Sequence, residues 1–131
     1  MQNITDKKII FDNIQQMILF SNESKSNQAK IISNILKYNI RTTGKNKIRY
    51  VYYYDEELNI WKRDRYCDFI GFFYQFFNNT ITEIKKLQID DEIYIKTIDK
   101  ICKKFDSRTY ILEMSKLILR EINELERDIT K

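Results

Sequence analysis

Residues 41–66 combine the two kinds of side chain that contact nucleic acids. Lysines and arginines displace counterions from phosphates, and an exposed aromatic ring offers a stacking surface to an unpaired base whatever its identity. The composition of this segment therefore indicates a salt-sensitive, weakly specific nucleic-acid contact. The residues concerned are the basic Arg41, Lys45, Lys47, Arg49, Lys62, Arg63 and Arg65 and the aromatic Tyr50, Tyr52, Tyr53, Tyr54 and Trp61.

The same rings have a simpler interpretation as parts of a folded sheet. Aromatic residues are common in strands, and half of the rings on a strand must face the core. The segment also carries four acidic side chains against its seven basic ones, a modest excess for a DNA-binding surface. For Trp61 the alternative to base stacking is a core anchor that closes a hairpin onto the helix at Phe69 and Phe73. The exposure of the ring decides between the two.

The composition of the chain excludes several kinds of catalytic and metal site. The chain has 131 residues and a net charge of +4. It contains no histidine and no proline, and its two cysteines are Cys67 and Cys102. Zinc sites of cysteine and histidine, Ser-His-Asp triads and histidine proton shuttles are thereby excluded. The two glycines, Gly44 and Gly71, cannot form a glycine-rich phosphate loop. We expect no cofactor, no metal site and no catalysis by this chain alone.

An enzyme would have to rely on carboxylates without histidine. The candidates are Asp55, Glu56, Glu57, Asp90 and Asp91. They fall in a predicted loop and at a predicted helix start, where acidic side chains complement the helix dipole. Nothing in their spacing indicates a convergent pocket.

The first 20 residues do not form a secretion signal, because Asp6, Lys7, Lys8 and Asp12 interrupt the apolar positions. No window approaches the roughly 18 apolar residues of a membrane span. We therefore expect a soluble, intracellular protein that does not bind membranes. Abundant isoleucine, lysine, asparagine and tyrosine are typical of coding from an AT-rich genome.

Periodicity predicts a single α+β domain over residues 1–131 that is mainly helical. Apolar residues at helical spacing predict two N-terminal helices, within 6–20 and 27–38. Alternation then predicts one β-hairpin at about residues 48–63. Three C-terminal helices follow: a central one from Cys67 to about Lys86, one after Asp90, and one capped by Ser107.

The last of these helices has a regular apolar seam, formed by Ile111, Ser115, Ile118, Ile122, Leu125 and Ile129. Its alternating steps of four and three residues place these side chains on one face. We expect this seam to pack inward on the core. A dimerising coiled coil is the alternative.

The order of three short motifs resembles one known family. They are Tyr52-Tyr53-Tyr54-Asp55, then Trp61-Lys62-Arg63-Asp64, and, after two predicted helices, Phe105-Asp106-Ser107-Arg108. Together they are similar to the linker (N-terminal helicase-associated) domain between primase and superfamily 3 helicase in the primase–helicases of poxviruses, giant viruses, phages and plasmids. The likeness covers roughly residues 30–125, and the matching residues are Tyr53, Tyr54, Trp61, Arg63, Asp64, Ser107 and Arg108.

This resemblance implies a non-catalytic accessory module in viral or mobile-element DNA replication, located in the cytoplasm or at the replication site of an infected cell. The chain contains neither the primase nor the ATPase of such proteins, so we expect a fragment or a free-standing copy of the module. Its expected partners are single-stranded or forked DNA and a primase–helicase polypeptide. The expected DNA-binding residues are Arg41, Lys45, Lys47, Arg49, Tyr53, Trp61, Lys62, Arg63, Arg65 and Arg108.

Two alternatives stay open. Arg108 has a structural interpretation as an ion-pair or carbonyl contact near its helix start, although a cation is unfavourable there. The chain as a whole is alternatively a small viral helical interaction domain that binds a protein through an apolar face and does not bind nucleic acid. That face would be the 111–129 seam or the helix at Phe69–Phe77. Exposed basic side chains converging on the hairpin favour the first function, and an exposed apolar groove favours the second.

Overall fold

The computed structural model describes residues 6–43, 50–55, 57–63, 68–87 and 89–130. Two helices, a three-stranded sheet and three further helices follow one another along the chain, which confirms the predicted α+β, mainly helical fold. Among the described residues, no helix has both the length and the apolar character that crossing a bilayer requires. The elements are α1 (Ile14–Asn22), α2 (Lys25–Leu36), β1 (Ile40–Thr43), β2 (Tyr50–Asp55), β3 (Ile60–Arg63), α3 (Asp68–Lys85), α4 (Glu92–Phe105) and α5 (Arg108–Thr130).

Short polar side chains begin four of the helices. Asn13 and Ser24 accept hydrogen bonds from the backbone N–H groups of Gln16 and Asn27, at 3.0 and 3.2 Å. Asp91 caps α4 in the same way, and Ser107 accepts from the Tyr110 N–H at 3.4 Å. Such caps satisfy backbone donors that no helical carbonyl can reach. The predicted cap at Ser107 is thus confirmed.

The sheet is antiparallel, with its strands in the order β1-β2-β3. β2 and β3 are the predicted hairpin, whereas β1 was not predicted. Its last two residues belong to the stretch Thr42-Thr43-Gly44-Lys45-Asn46, which the sequence predicts to be a turn, and its four residues are too few to show an alternating pattern. The pairing of Ile40 with Tyr53 fixes β1 in register beside β2.

The core lies among the helices and beneath one face of the sheet. It contains the aromatic cluster Phe77, Phe105 and Tyr110, whose ring centroids lie 5.4 to 5.8 Å apart. The predicted seam of α5 faces inward, since Ile111, Ser115, Ile118 and Ile122 are all buried. The wide apolar face of α3 is buried as well, at Phe73, Phe76, Phe77, Ile81 and Ile84. The seam positions Leu125 and Ile129 lie outside the side chains that the structure describes.

Helix α5 holds the N-terminal helices and the sheet together. The Tyr110 hydroxyl donates to Oε1 of the fully buried Gln28 on α2 at 2.7 Å. At the other end of α5, the Thr42 hydroxyl of β1 lies 3.1 Å from Oδ1 of Asn123 and donates to it. The first contact joins α2 to α5, and the second turns the face of the sheet that carries Thr42 toward α5.

Candidate nucleic-acid interface

The strand register sorts the side chains of the sheet into two faces. Directly paired residues share a face, and so do residues two apart along one strand. Arg41 is paired with Tyr52 and Tyr52 with Arg63, while Tyr54 is paired with Trp61. These five side chains therefore lie on the same face, which we call the outer face.

The opposite, inner face packs against the helices. Ile40 is fully buried, and Val51 and Tyr53 pack against the core. The outer face is accordingly turned away from the helices: Arg41 and Arg63 are exposed, and Tyr52, Tyr54 and Trp61 are partly exposed. None of these three rings belongs to the core or to the side chains packed against it. Basic groups and accessible rings thus occur together on one surface.

Trp61 contacts two other residues of the outer face, Arg41 and Tyr54. The Arg41 guanidinium carbon lies over its ring, 4.4 Å from the centroid. Because Arg41 is on β1 and Trp61 is on β3, the Arg41 side chain must cross the middle strand. Such a cation–π contact at an exposed site is worth about 0.5–1 kcal/mol. The Tyr54 ring packs against Trp61 at 5.3 Å between centroids and an interplanar angle of 58°.

The hairpin turn holds Tyr54 in place. The Tyr54 hydroxyl donates a short hydrogen bond to Oδ1 of Asn59. Asn59 has a positive φ of 57°, a left-handed conformation that asparagine tolerates better than most residues. Asp55 accepts a hydrogen bond from the Leu58 N–H at 3.1 Å across the same turn. The aromatic end of the outer face is therefore braced by the turn that joins β2 to β3.

Lys62 does not join the outer face. It is paired with Tyr53 and lies on the inner face, where its ammonium group forms an ion pair with Asp55 at 2.8 Å. The hydrogen bond from Lys62 lowers the pKa of Asp55, and the same contact raises the pKa of Lys62. The charge of Lys62 is thus engaged by a carboxylate on the inner face, whereas the prediction groups Lys62 with the phosphate-contacting residues.

The structure places Tyr53 and Trp61, both predicted as DNA-binding residues, on opposite faces of the sheet. Tyr53 is turned to the inner face, and its ring contacts Phe72 of α3 at 4.4 Å between centroids. The ring predicted to stack on a base is thus packed against a helix. Trp61, by contrast, is not the core anchor that the alternative interpretation described, since it lies on the outer face beside Arg41.

The remaining predicted residues divide into two groups. Arg108 is exposed at the first position of α5, fifteen residues before the Asn123 that contacts the sheet. At 1.5 Å per helical residue this separates them by about 22 Å, so Arg108 is not part of the outer face. Four predicted residues, Lys45, Lys47, Arg49 and Arg65, lie outside the described residues.

Tyr52 and Tyr54 are members of the surface that the prediction did not select. The signal that could have found them is the alternation of strand residues, which places Tyr52 and Tyr54 on one face and Tyr53 on the other. Alternation alone does not say which face is buried. That choice depends on how the sheet meets α3 and α5.

Other chemistry is sparse in the part of the chain that the structure describes. It holds no group of three or more histidine, cysteine, aspartate or glutamate side chains that could bind a metal ion. Cys102 is half-buried, and burial raises the pKa of its thiol. A raised pKa disfavours the thiolate, the reactive form of cysteine.

Comparison of the chain with protein-family models, with curated proteins and with solved structures finds no match. The resemblance to the linker domain of primase–helicases therefore stays a prediction based on the three short motifs.

Proposed function

We propose that this protein binds single-stranded or forked DNA through the outer face of its sheet, as a non-catalytic accessory module of a viral or mobile-element primase–helicase. The observation that supports the DNA contact is the placement of Arg41, Tyr52, Tyr54, Trp61 and Arg63 on one face directed away from the core. The replication role and the primase–helicase partner are supported by the resemblance of the motifs.

The geometry of the outer face suits an unpaired strand. Arg41 and Arg63 stand on the two edge strands, which are separated by two strand spacings, or about 10 Å. Tyr52 and Tyr54 lie on the strand between them, and Trp61 lies on the same strand as Arg63. Bases stack on such rings only when they are not paired and stacked within a duplex, and the flanking arginines reach phosphates. The surface therefore favours single-stranded segments over duplex.

Fluorescence anisotropy with labelled single-stranded, forked and duplex DNA of equal length tests this function. We expect the wild type to bind the single-stranded and forked DNA more tightly than the duplex. Trp61→Ala should weaken binding by about 1–3 kcal/mol, the worth of one base–aromatic stack. Arg63→Ala should reduce the slope of log affinity against log salt by about 0.7, the value for one phosphate contact on a single strand.

Lys96→Ala is the matched control, because it removes an exposed basic side chain from α4, a helix that packs on α1, α3 and α5 and supplies no residue of the outer face. It should lower affinity much less than Arg63→Ala, with circular dichroism showing that every variant keeps the fold. No binding by the wild type at low salt would refute the proposed DNA contact. Equal losses for Arg63→Ala and Lys96→Ala would show that binding depends on overall charge and not on the outer face.

A second candidate function, protein–protein interaction without nucleic-acid binding, is favoured by an apolar surface formed by α1, α2 and the residues just before α1. Ile10, Leu19 and Ile31 are 66%, 67% and 41% exposed. They line a cleft of about 340 Å³ together with Phe11 and Glu23. The α3 and α5 faces first considered for this role are buried where their side chains are described. This function predicts that Leu19→Asp abolishes capture of a protein partner, and that the wild type binds no DNA.

A further inference from the structure

We propose that Arg41 occupies, in the free protein, the position over Trp61 that an unpaired base takes in the complex. This inference rests on the proposed function and concerns how the same surface is opened. DNA binding would exchange the contact between Arg41 and Trp61 for two others. A base stacks on the indole, and the released guanidinium moves to a phosphate of the same strand.

The position of the guanidinium is the first observation behind this inference. Its central carbon lies 4.4 Å from the centre of the Trp61 ring, on the outer face. A guanidinium is planar and stacks on aromatic faces as a base does. The other ring neighbour, Tyr54, is inclined at 58° and does not lie parallel over the indole. The Arg41 guanidinium therefore lies over the ring on which a base would stack.

The second observation is that Tyr54 is tied to the hairpin turn, whereas the Arg41 side chain is exposed. Tyr54 is hydrogen-bonded to Asn59 in the hairpin turn. Arg41 is exposed, and within the described residues it forms no ion pair with a carboxylate. Its guanidinium group contacts the ring of Trp61. At an exposed site such a contact corresponds to about a two- to five-fold effect on an equilibrium, which a base stack and a phosphate contact together exceed.

Two substitutions separate the covering of the ring from the charge of the side chain. Arg41→Ala uncovers Trp61 and removes the charge. Arg41→Lys keeps the charge but replaces the flat guanidinium with a compact, strongly hydrated ammonium group that covers a ring less well. Lys96→Ala serves as the control for an exposed basic side chain outside the sheet.

The probes are a single-stranded oligothymidylate and an abasic oligomer of the same length. The ratio of their affinities reports base stacking, because the two share the same phosphates. Trp61 is the single tryptophan of the chain, so its fluorescence reports directly on the stack. We expect Arg41→Lys, whose ammonium group is available to a phosphate in both complexes, to raise the affinity ratio about two- to five-fold, and both Arg41 variants to deepen the fluorescence quenching by the thymidylate. The salt dependence should fall in Arg41→Ala and persist in Arg41→Lys.

The outcomes distinguish this inference from the function on which it rests. If the wild type binds the thymidylate and neither variant changes the ratio, Arg41 does not compete with the base, and the proposed function stands alone. A ratio that falls in both variants would also overturn the inference, because Arg41 would then support the stacked base. A rise of equal size in Lys96→Ala would overturn it as non-specific. Failure of the wild type to bind either oligomer would refute the proposed function and this inference together.

Discussion

The ring of Tyr53 packs against Phe72 in an edge-on arrangement, with 4.4 Å between the ring centroids. This contact joins the middle strand to α3 and lies on the inner face of the sheet. Because neighbours along a strand point to opposite faces, it also turns Tyr52 and Tyr54 outward. The packing of Tyr53 on Phe72 therefore goes together with the outward placement of Tyr52 and Tyr54.

Substitutions of two adjacent tyrosines should therefore have opposite effects. Tyr53→Ala removes a ring packed on the core and should lower the free energy of unfolding by about 2–4 kcal/mol. Tyr52→Ala should change stability by less than about 1 kcal/mol and weaken binding of single-stranded DNA instead. Urea denaturation and anisotropy on the same samples measure both effects. Equal destabilisation by the two variants would contradict the assignment of the faces.

The buried hydroxyl of Tyr110 makes stability sensitive to high pH. Burial raises the pKa of Tyr110 above its ordinary value of 10.0. Below that value both states hold the proton, and the contribution of the group is fully present. Above it the unfolded chain loses its proton first, so stability falls as pH rises toward the folded pKa. We expect a loss of at most about 1.4 kcal/mol per pH unit from this group, measured by denaturation in alkaline buffers.

Tyr110→Phe should remove this alkaline loss at a cost at neutral pH. The substitution leaves Oε1 of the fully buried Gln28 without the Tyr110 donor, which costs about 1–3 kcal/mol. Tyr38→Phe is the matched control, since Tyr38 is 67% exposed. The idea fails if the control changes the alkaline slope as much as Tyr110→Phe does.

Gly71→Ala should stabilise the protein. Gly71 lies within α3, and a Cβ atom added there meets nothing within 4 Å. Alanine in a helix interior is favoured over glycine by about 0.5–1 kcal/mol, because glycine loses more conformational entropy on folding. The midpoint of thermal unfolding should therefore rise. A lower midpoint would show that the position requires the absence of a side chain.

The hydrogen bond between Thr42 and Asn123 should contribute measurably to docking of the sheet on α5. Thr42→Val keeps the shape of the side chain and removes the donor, and we expect a loss of about 0.5–1.5 kcal/mol. Thr82→Val is the control, because Thr82 is exposed and its hydroxyl bonds only within its own helix, to the carbonyl of Asn78. Unfolding curves of the two variants that coincide would argue against the interaction.

Most of the fold could be predicted because its signals are local. The helices show apolar residues at helical spacing, and the seam through Ile111, Ile118 and Ile122 is buried as expected. The hairpin shows alternation. β1 has no comparable local signal, because Ile40–Thr43 is short and gains its hydrogen bonds from β2. Strand pairing of that kind depends on distant residues and leaves little trace in the sequence.

The candidate site could be predicted only in part, for the same reason. The sequence indicated the segment that supplies the outer face, including Arg41, Trp61 and Arg63. The sequence does not show which face of the sheet is buried. The prediction therefore includes Tyr53 and Lys62 among the DNA-binding residues, although both lie on the inner face. Nor does the sequence place Arg108 relative to the sheet, since that distance depends on how α5 crosses the molecule.

The interactions that join α5 to α2 and β1 connect residues 81 to 88 positions apart, as in the pairs Thr42–Asn123 and Lys25–Glu113. During synthesis, the apolar side chains of Ile32 and Ile40 leave the ribosome long before the helix that covers them. The native arrangement can therefore form only after most of the chain has been translated. Until then the apolar side chains of these early segments stay exposed, a condition that favours aggregation.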